Sequence, residues 1–291
     1  MKIILSRKGF DSNSGGLCSP IINDELITLP IPVSDFQTEG KGTYDDLILP
    51  DGYLYSNFLF DLGYDFEFND NCKRECHIDP DLSQKRRKNK IKEWKPIFGQ
   101  CGSSSGYLMN TVKVDKGDIF LFFGNYHKVE NKNGKYHYIK KSDDFYSQND
   151  IQLIWGYLQV GEIVRNADEI IKYYWHPHSS DKYKKKESQY KNNTLFIATD
   201  KLSLNKNLPG AGLFKFNEAL VLTEKNRTKA NWKKENAYLE NNIIGNRKNS
   251  SKYQDSCIYY AGQWQELGLK DNKTTEEFIR RLFLNNEVII D

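Results

Sequence analysis

The chain lacks any hydrophobic run that approaches the length of a membrane span, and it lacks a strong net charge. Its 42 basic and 39 acidic residues give a formal net charge of +3 over 291 residues. No strong overall field therefore attracts the protein to nucleic acid. Nothing at the N-terminus resembles a signal peptide, because only three apolar residues follow Lys2. We expect a cytoplasmic protein without a membrane partner.

Cysteine is scarce as well, with five residues in the whole chain. An odd number of cysteines and no secretory signal predict reduced thiols. Cys72, Cys76 and His77 are close in sequence, but structural zinc takes two ligand pairs and no second pair is evident. We therefore assign no metal ligands. The cofactor stays open, and a divalent metal ion is one candidate.

Aromatic side chains compensate for a low hydrophobic content. The chain is 38% hydrophobic and 13% aromatic, with 18 Tyr and 16 Phe, and each aromatic ring buries a large area. These numbers predict a folded protein that can bury a sizeable core. We predict a single domain over residues 1–291, with a lysine- and asparagine-rich C-terminal part at 224–291. Within that part, residues 224–252 are expected to be exposed, with Trp232 as their anchor.

The first twenty residues contain a dense group of reactive side chains. A short apolar run at residues 3–5 leads into a polar, glycine-rich loop that includes Lys8, Asp11, Ser12, Gly15 and Gly16. Glycines allow backbone N–H groups to approach an anion closely, so a phosphate-bearing ligand is predicted here. An ordinary surface loop is the alternative, because the spacing fits neither the Walker pattern nor the dinucleotide-binding pattern.

A second polar group lies in the segment HIDPDL. His77, Asp79 and Asp81 alternate within five residues, so an extended backbone would point all three side chains the same way. A histidine with two carboxylates can act as a general base or bind a divalent ion. The alternative is a simple turn in which Pro80 fixes φ.

Three further segments carry polar candidates. Asp45 and the acidic residue after it can bind a metal or a sugar hydroxyl, or cap a helix. Gln100 precedes the small polar loop 101–106, which can offer backbone donors and hydroxyls to a phosphate or serve as a connector. His176 and His178 flank a proline and can face one site, either as metal ligands or for surface recognition.

Two basic runs, at residues 85–92 and 182–186, interrupt the otherwise balanced charge. Each can contact phosphates, and each can equally be a solvated loop.

The clearest structural signal lies between residues 112 and 164. Apolar runs at 119–123 and 151–164 predict buried strands, and Gly156 predicts a bulge or bend in the second one. We predict an α+β fold with a β-rich mixed sheet or partly closed barrel. Residues near 112–200 resemble the small PUA-like barrels that include the ASCH and EVE domains, whose members bind RNA or modified bases.

An ordered series of motifs runs from residue 1 nearly to the end of the chain. They are MKIILSRKGFDSNSGG at Met1, TYDDL at Thr43, HIDPDL at His77, FGQCG at Phe98, GDIFLFFG at Gly117, WGYLQVGEIV at Trp155, WHPH at Trp175, NTLFIA at Asn193 and LPGAGLF at Leu208. Together they resemble the third of the nucleotide-modification-associated domain families. The chain departs from that family at Ser103 and Ser104, where alanines are expected, and in its lysine-rich C-terminal part.

The resemblance implies a bacterial or phage protein of a DNA-modification or anti-phage defence system. Its partners would be a nucleotide or DNA, including modified bases, and other proteins of that system. In the leading hypothesis, an enzyme, Lys8 neutralises a phosphate, His77 is the general acid or base, Asp11 or Asp79 orients it, and Ser12 holds an anion. Substrate contacts are assigned to Gly15, Gly16, Asp45, Asp81, Gln100, Trp155, His176 and His178.

Two alternatives stay open. A non-catalytic reader would hold a flipped-out base in an aromatic pocket that includes Trp155. A structural subunit of a modification complex would neither turn over a substrate nor bind nucleic acid alone.

Overall fold

The computed structural model describes residues 1–33, 41–67, 74–184, 190–253, 257–260 and 265–290, with the backbone alone described at 248–253. The strands are β1 Ile3–Arg7, β2 Ser19–Ile22, β3 Glu25–Leu26, β4 Ile31–Pro32, β5 Cys76–His77, β6 Ile97–Gln100, β7 Ile119–Lys132, β8 Lys135–Tyr138, β9 Ile151–Val164, β10 Thr194–Ala198, β11 Lys201–Leu202, β12 Asn205–Pro209, β13 Ala211–Phe214, β14 Asn231–Lys233, β15 Ser251–Tyr253, β16 Cys257–Tyr260, β17 Glu266–Leu269 and β18 Val288–Ile289.

Helices are few and mostly short. The α-helices are α1 Tyr55–Asp61, α2 Gly102–Gly106, α3 Phe145–Gln148, α4 Ala167–Ile170 and α5 Lys273–Asn285, and α2 continues as a π-helix over Tyr107–Val112. Single 3-10 turns occur at Tyr44–Asp46, Pro177–Ser179, Asp181–Lys184, Glu218–Leu220, Asn236–Tyr238, Glu240–Asn242 and Gly245–Ser250. None of the described helices combines the length and apolar character that crossing a bilayer requires.

One mixed sheet organises the molecule. Among the described residues it has eleven strands, with the central order β17-β1-β7-β9-β10-β6. β1 and β2 run parallel to β7, whereas β7, β9, β10 and β6 are antiparallel neighbours. The sheet is open, because its described end strands β17 and β6 do not pair with each other. The prediction of a sheet-rich α+β fold is confirmed, and a closed barrel is not formed.

The two longest strands are the apolar runs that the sequence marks. β7 and β9 are buried over most of their length, as expected when both faces of a strand are covered. The predicted irregularity at Gly156 is confirmed, since Phe122 pairs with Gly156 and Phe123 with Ile154, so that Trp155 is the extra residue of a bulge. A Cβ at Gly156 would lie 2.9 Å from Leu82.

Aromatic rings fill the core beside β7. Phe98 lies 4.9 Å from Phe120, 5.2 Å from Phe122 and 5.7 Å from Phe196, measured between ring centroids. Each of these rings is fully buried, and burying a phenylalanine stabilises a fold by about 1.5–3 kcal/mol. Trp155 belongs to the same core, with 2% of its surface exposed.

The C-terminal part is more deeply integrated than its composition suggests. β17 pairs antiparallel with β1, which places Glu266 opposite Ser6. Trp232 is the expected anchor, and it stacks on Tyr260 with ring centroids 4.3 Å apart. The expectation that the rest of 224–252 is exposed holds for residues 225–228 and is wrong around Tyr238, which is buried together with several of its neighbours.

Candidate active site

The candidate site lies beside the C-terminal half of β6. The carboxylate of Asp79, shortly after β5, accepts a hydrogen bond from the backbone N–H of Gly99 at 2.7 Å on Oδ1. Only 5% of the Asp79 side chain is exposed. Gly99 is required by packing, because a Cβ there would lie 2.5 Å from the ring of His178 and 2.9 Å from that of His176.

His176 has both ring nitrogens engaged. It precedes the 3-10 turn at Pro177–Ser179, where its Nδ1 accepts a hydrogen bond from the backbone N–H of His178 at 3.3 Å. The proton must therefore sit on Nε2, which donates to Oδ1 of Asp79 at 3.1 Å. His176 is fully buried, so its geometry holds the carboxylate in place.

His178 has one ring nitrogen engaged and one directed at the carboxylate. Its Nδ1 lies 2.7 Å from Oδ1 of Asn193, whose amide nitrogen donates to the His178 carbonyl at 2.9 Å. The second bond fixes the orientation of the amide, so Nδ1 of His178 is the donor and Nε2 carries no proton in the neutral ring. That Nε2 lies 3.9 Å from Oδ2 of Asp79.

Protonation states in this cluster follow from its burial and its hydrogen bonds. Burial lowers the pKa of His178 to about 4, so the ring is neutral at pH 7. Burial acts to raise the pKa of Asp79, but the hydrogen bond from His176 and the other histidines outweigh it and hold that pKa well below its ordinary value. An ionised carboxylate oxygen and an unprotonated imidazole nitrogen therefore lie 3.9 Å apart.

Tyr183 covers this pair. Its ring stacks on His178 with centroids 4.3 Å apart and planes 14° from parallel, and its hydroxyl lies 3.1 Å from Nε2 of His77. Burial raises the pKa of Tyr183 and lowers that of His77 well below its ordinary value. His77 thus contacts Tyr183 through its Nε2, and its ring also packs edge to face on that of His178, with centroids 5.3 Å apart.

A second buried network lies next to the histidines. Glu266 is fully buried, and its Oε1 accepts from Gln100 Nε2 at 2.7 Å and from Lys8 Nζ at 3.2 Å. Lys8 also lies 4.6 Å from the ring centroid of Phe98. Cys101 directly follows Gln100 in the chain, and burial raises the pKa of its thiol to about 11. At pH 7 the thiol is protonated.

The remaining residues of the first loop lie in a turn of their own. Asp11 accepts from the backbone N–H groups of Asn13 at 2.8 Å and Ser14 at 2.9 Å, and Ser12 is exposed. Gly15 and Gly16 have φ of +87° and +72°, which glycine adopts without strain. The loop therefore brings Lys8 to the network around Glu266, and Asp11 stabilises the turn.

Asp81 and Asp45 have partners outside the histidine cluster. Oδ2 of Asp81 accepts from Arg87 Nη2 at 2.7 Å and from Trp94 Nε1 at 2.9 Å, in a buried setting. Arg87 belongs to the basic run 85–92, so that run is partly structural. Asp45 pairs with Arg74 at 3.3 Å on the surface.

Several residues of the site carry no signal in the sequence. Asn193 orients His178, and Tyr183 covers it. Glu266 accepts hydrogen bonds from Lys8, 258 residues earlier in the chain, and from Gln100, 166 residues earlier. No local pattern marks such long-range partners. Among the described residues, no group of three or more His, Cys, Asp or Glu side chains is arranged to hold a metal ion, and Cys72 lies outside those residues.

Comparisons with known proteins identify a family. The family model described as "Nucleotide modification associated domain 3" matches residues 2–280, which confirms the resemblance carried by the motifs. No curated protein and no solved structure matches the chain.

Proposed function

Because the chain belongs to the nucleotide modification associated domain 3 family, we propose that it is a cytoplasmic enzyme of a bacterial or phage DNA-modification or defence system. It acts on a nucleotide or on a base in DNA, with His178 as general base and Asp79 as its charged partner. The observation that carries this proposal is the 3.9 Å approach of His178 Nε2 to Asp79 Oδ2.

Two proton acceptors that face each other favour proton abstraction. The separation is too long for a direct hydrogen bond, and at neutral pH neither atom carries a proton. A substrate O–H or N–H group, or a water molecule, placed beside both atoms would give its proton to His178. Asp79 would then stabilise the imidazolium that forms. General base catalysis of this kind typically contributes about 10²–10⁴ in rate.

The other site residues support the pair. His176 and Gly99 position Asp79 through two hydrogen bonds. Asn193 positions His178. Lys8 is paired with Glu266, and we assign it to positioning this neighbouring network. Neither Asp11 nor Ser12 contacts a residue of the cluster, so we propose no catalytic step for them.

The test compares two histidine variants. His178→Asn keeps an amide N–H within reach of Asn193 and removes the atom at the Nε2 position. His127→Asn is the matched control, because His127 pairs with Asp150 at 2.8 Å outside the cluster. Nucleosides digested from incubated DNA, and a pool of free nucleotides, are analysed by mass spectrometry with and without divalent metal ions.

We expect wild type and His127→Asn to produce the same new or depleted species, and His178→Asn to lose at least about 100-fold of that activity. Thermal unfolding of all three proteins verifies that they are folded. Full activity in a folded His178→Asn variant would contradict the proposed base.

A second candidate function, the non-catalytic reader, is favoured by one cavity. It has a volume of about 630 Å³ and is lined in part by Asn193 and Tyr183. Arg165 and Lys191 also line it, together with Tyr190, whose ring meets that of Tyr183 edge to face at 5.7 Å. Tyrosine rings and cations suit a stacked base and its phosphate. A PUA-like role in base recognition belongs to this candidate, and salt-sensitive DNA binding without turnover would support it.

A further inference from the structure

A cavity of about 620 Å³ lies near the Glu266 network and is lined by neighbours of its residues, among them Gln265 and Arg247. It forms where the end of β1, the first turn of α2 and the 3-10 turn Gly245–Ser250 come together. The lining residues used below are Arg7, Ser103, Ser104, Tyr107 and Arg247.

Two guanidinium groups line this cavity. Arg247 is 7% exposed, and its guanidinium carbon lies 3.4 Å from the ring centroid of Tyr107. It also donates to the backbone carbonyl of Glu266, so it is held firmly. Arg7 is paired with Asp11 at 3.5 Å, with 20% of each side chain exposed. Among the described residues that line the cavity, none is acidic.

Hydroxyl groups face the same space. Ser103 and Ser104 lie in the first turn of α2, where Ser103 is exposed and Ser104 is half-buried. Within the described part of the chain, neither hydroxyl has a hydrogen-bond partner. Planar guanidinium groups and free hydroxyl donors are the groups that proteins use to bind phosphate oxygens.

We infer that this cavity binds the phosphate group of a nucleotide. The nucleotide part of the inference rests on the proposed function, whereas the preference for an anion rests on the cavity itself. Three residues separate Ser103 from Gly99, which holds Asp79, so their Cα atoms, four steps apart along the chain, are at most roughly 14 Å apart. The cavity and the segment that holds Asp79 are therefore close along the chain.

A pair of nearly isosteric variants tests the charge requirement. Ser103→Asp places a carboxylate at the cavity, and Ser103→Asn places a neutral group of the same shape there. An acidic residue in the first turn is favourable for a helix, so Ser103→Asp is expected to fold, and thermal unfolding verifies this. Binding is measured by calorimetry for each of the four deoxynucleoside 5′-monophosphates, for the matching nucleosides, and for a short single-stranded oligonucleotide.

We expect wild type to bind at least one monophosphate or the oligonucleotide more tightly than the matching nucleoside. Ser103→Asp should weaken that binding by about tenfold or more, which is the effect of about one close charge pair, and Ser103→Asn by less than about threefold. The preferred phosphate ligand then tells whether the phosphate comes from a free nucleotide or from a strand.

Two results would overturn the inference: equal binding of the phosphorylated and unphosphorylated ligands by wild type, or equal effects of the two substitutions. Neither result bears on the proposed general base, because the binding assay requires no turnover. Conversely, a His178→Asn variant that keeps full activity would leave the phosphate site untouched.

Discussion

Replacing Asp79 with asparagine removes one negative charge from the histidine cluster and leaves its shape almost unchanged. Gly99 and His176 both donate to Oδ1, at 2.7 and 3.1 Å, so they select the orientation that places the asparagine carbonyl oxygen there. The amide nitrogen then faces Nε2 of His178. All hydrogen bonds that hold the segment remain, while the ionised partner of the proposed base is lost.

The expected effects on stability separate two substitutions. Asp79→Ala leaves two buried N–H donors without an acceptor, which costs about 1–3 kcal/mol each, and about 2–6 kcal/mol together. Asp79→Asn keeps both bonds but makes them neutral, so the free energy of unfolding should fall by only about 1 kcal/mol. Denaturation with urea measures both values.

The activity of the Asp79→Asn variant is expected to fall far more than its stability. Asp79→Asn should lose at least about 100-fold of the activity detected by nucleoside mass spectrometry, because the imidazolium at His178 loses its counter-charge. If the folded Asp79→Asn protein instead has wild-type activity and only Asp79→Ala is defective, the carboxylate is a structural acceptor. The assignment of a catalytic pair would then be refuted.

Three other perturbations test the same geometry. Gly99→Ala should lower the free energy of unfolding by about 1–3 kcal/mol, because the new Cβ would lie 2.5 Å from the His178 ring. In the same urea titration Gly106→Ala should not destabilise, since its Cβ would meet nothing closer than 3.8 Å. Lowering the pH from about 7 to about 5 should cost about 2 kcal/mol of stability through His178 alone, because the unfolded chain binds a proton that His178, with its folded pKa lowered to about 4 by burial, does not. His77, whose pKa burial also lowers, adds to this loss. A His178→Asn variant with the same pH dependence would contradict this. Tyr183→Phe removes the hydroxyl next to His77 and should cost about 0.5–1.5 kcal/mol with activity retained; a loss of activity like that of His178→Asn would make this hydroxyl a proton donor.

The strands that can be predicted from the sequence are those that form a continuous run of apolar residues. β7 and β9 are continuous apolar runs, so their existence and the bulge at Gly156 follow from composition and spacing. The position of β1 between β7 and β17 does not, because it depends on pairing Ile3 with Ile119 and with Leu269. Such pairing over a long stretch of chain leaves no periodic signal. The local strand pattern is compatible with a partly closed barrel or with an open sheet, and the order of the strands decides for the open sheet.

The candidate site shows the same division between local and distant information. His77 and Asp79 lie two positions apart in one motif, and His176 and His178 lie two positions apart in another. Both pairs could therefore be selected as candidates from the sequence. Their meeting depends on β6, whose Gly99 binds Asp79 through its backbone. Asp81 matches the same motif, but its carboxylate is engaged by Arg87 and Trp94. Residue type alone could not separate these two aspartates.

The distinction between the two buried histidines lies in which nitrogen is already engaged. His176 uses both nitrogens to connect a backbone N–H to Asp79, so it cannot accept a proton without losing a bond that shapes the turn. His178 uses only Nδ1, and it does so because Asn193 is oriented by a second bond to the same residue. Burial then keeps the ring neutral at pH 7. The protonation of the proposed general base is therefore decided by an asparagine 15 residues away, so two identical side chains in one four-residue motif differ in which ring nitrogen carries the proton.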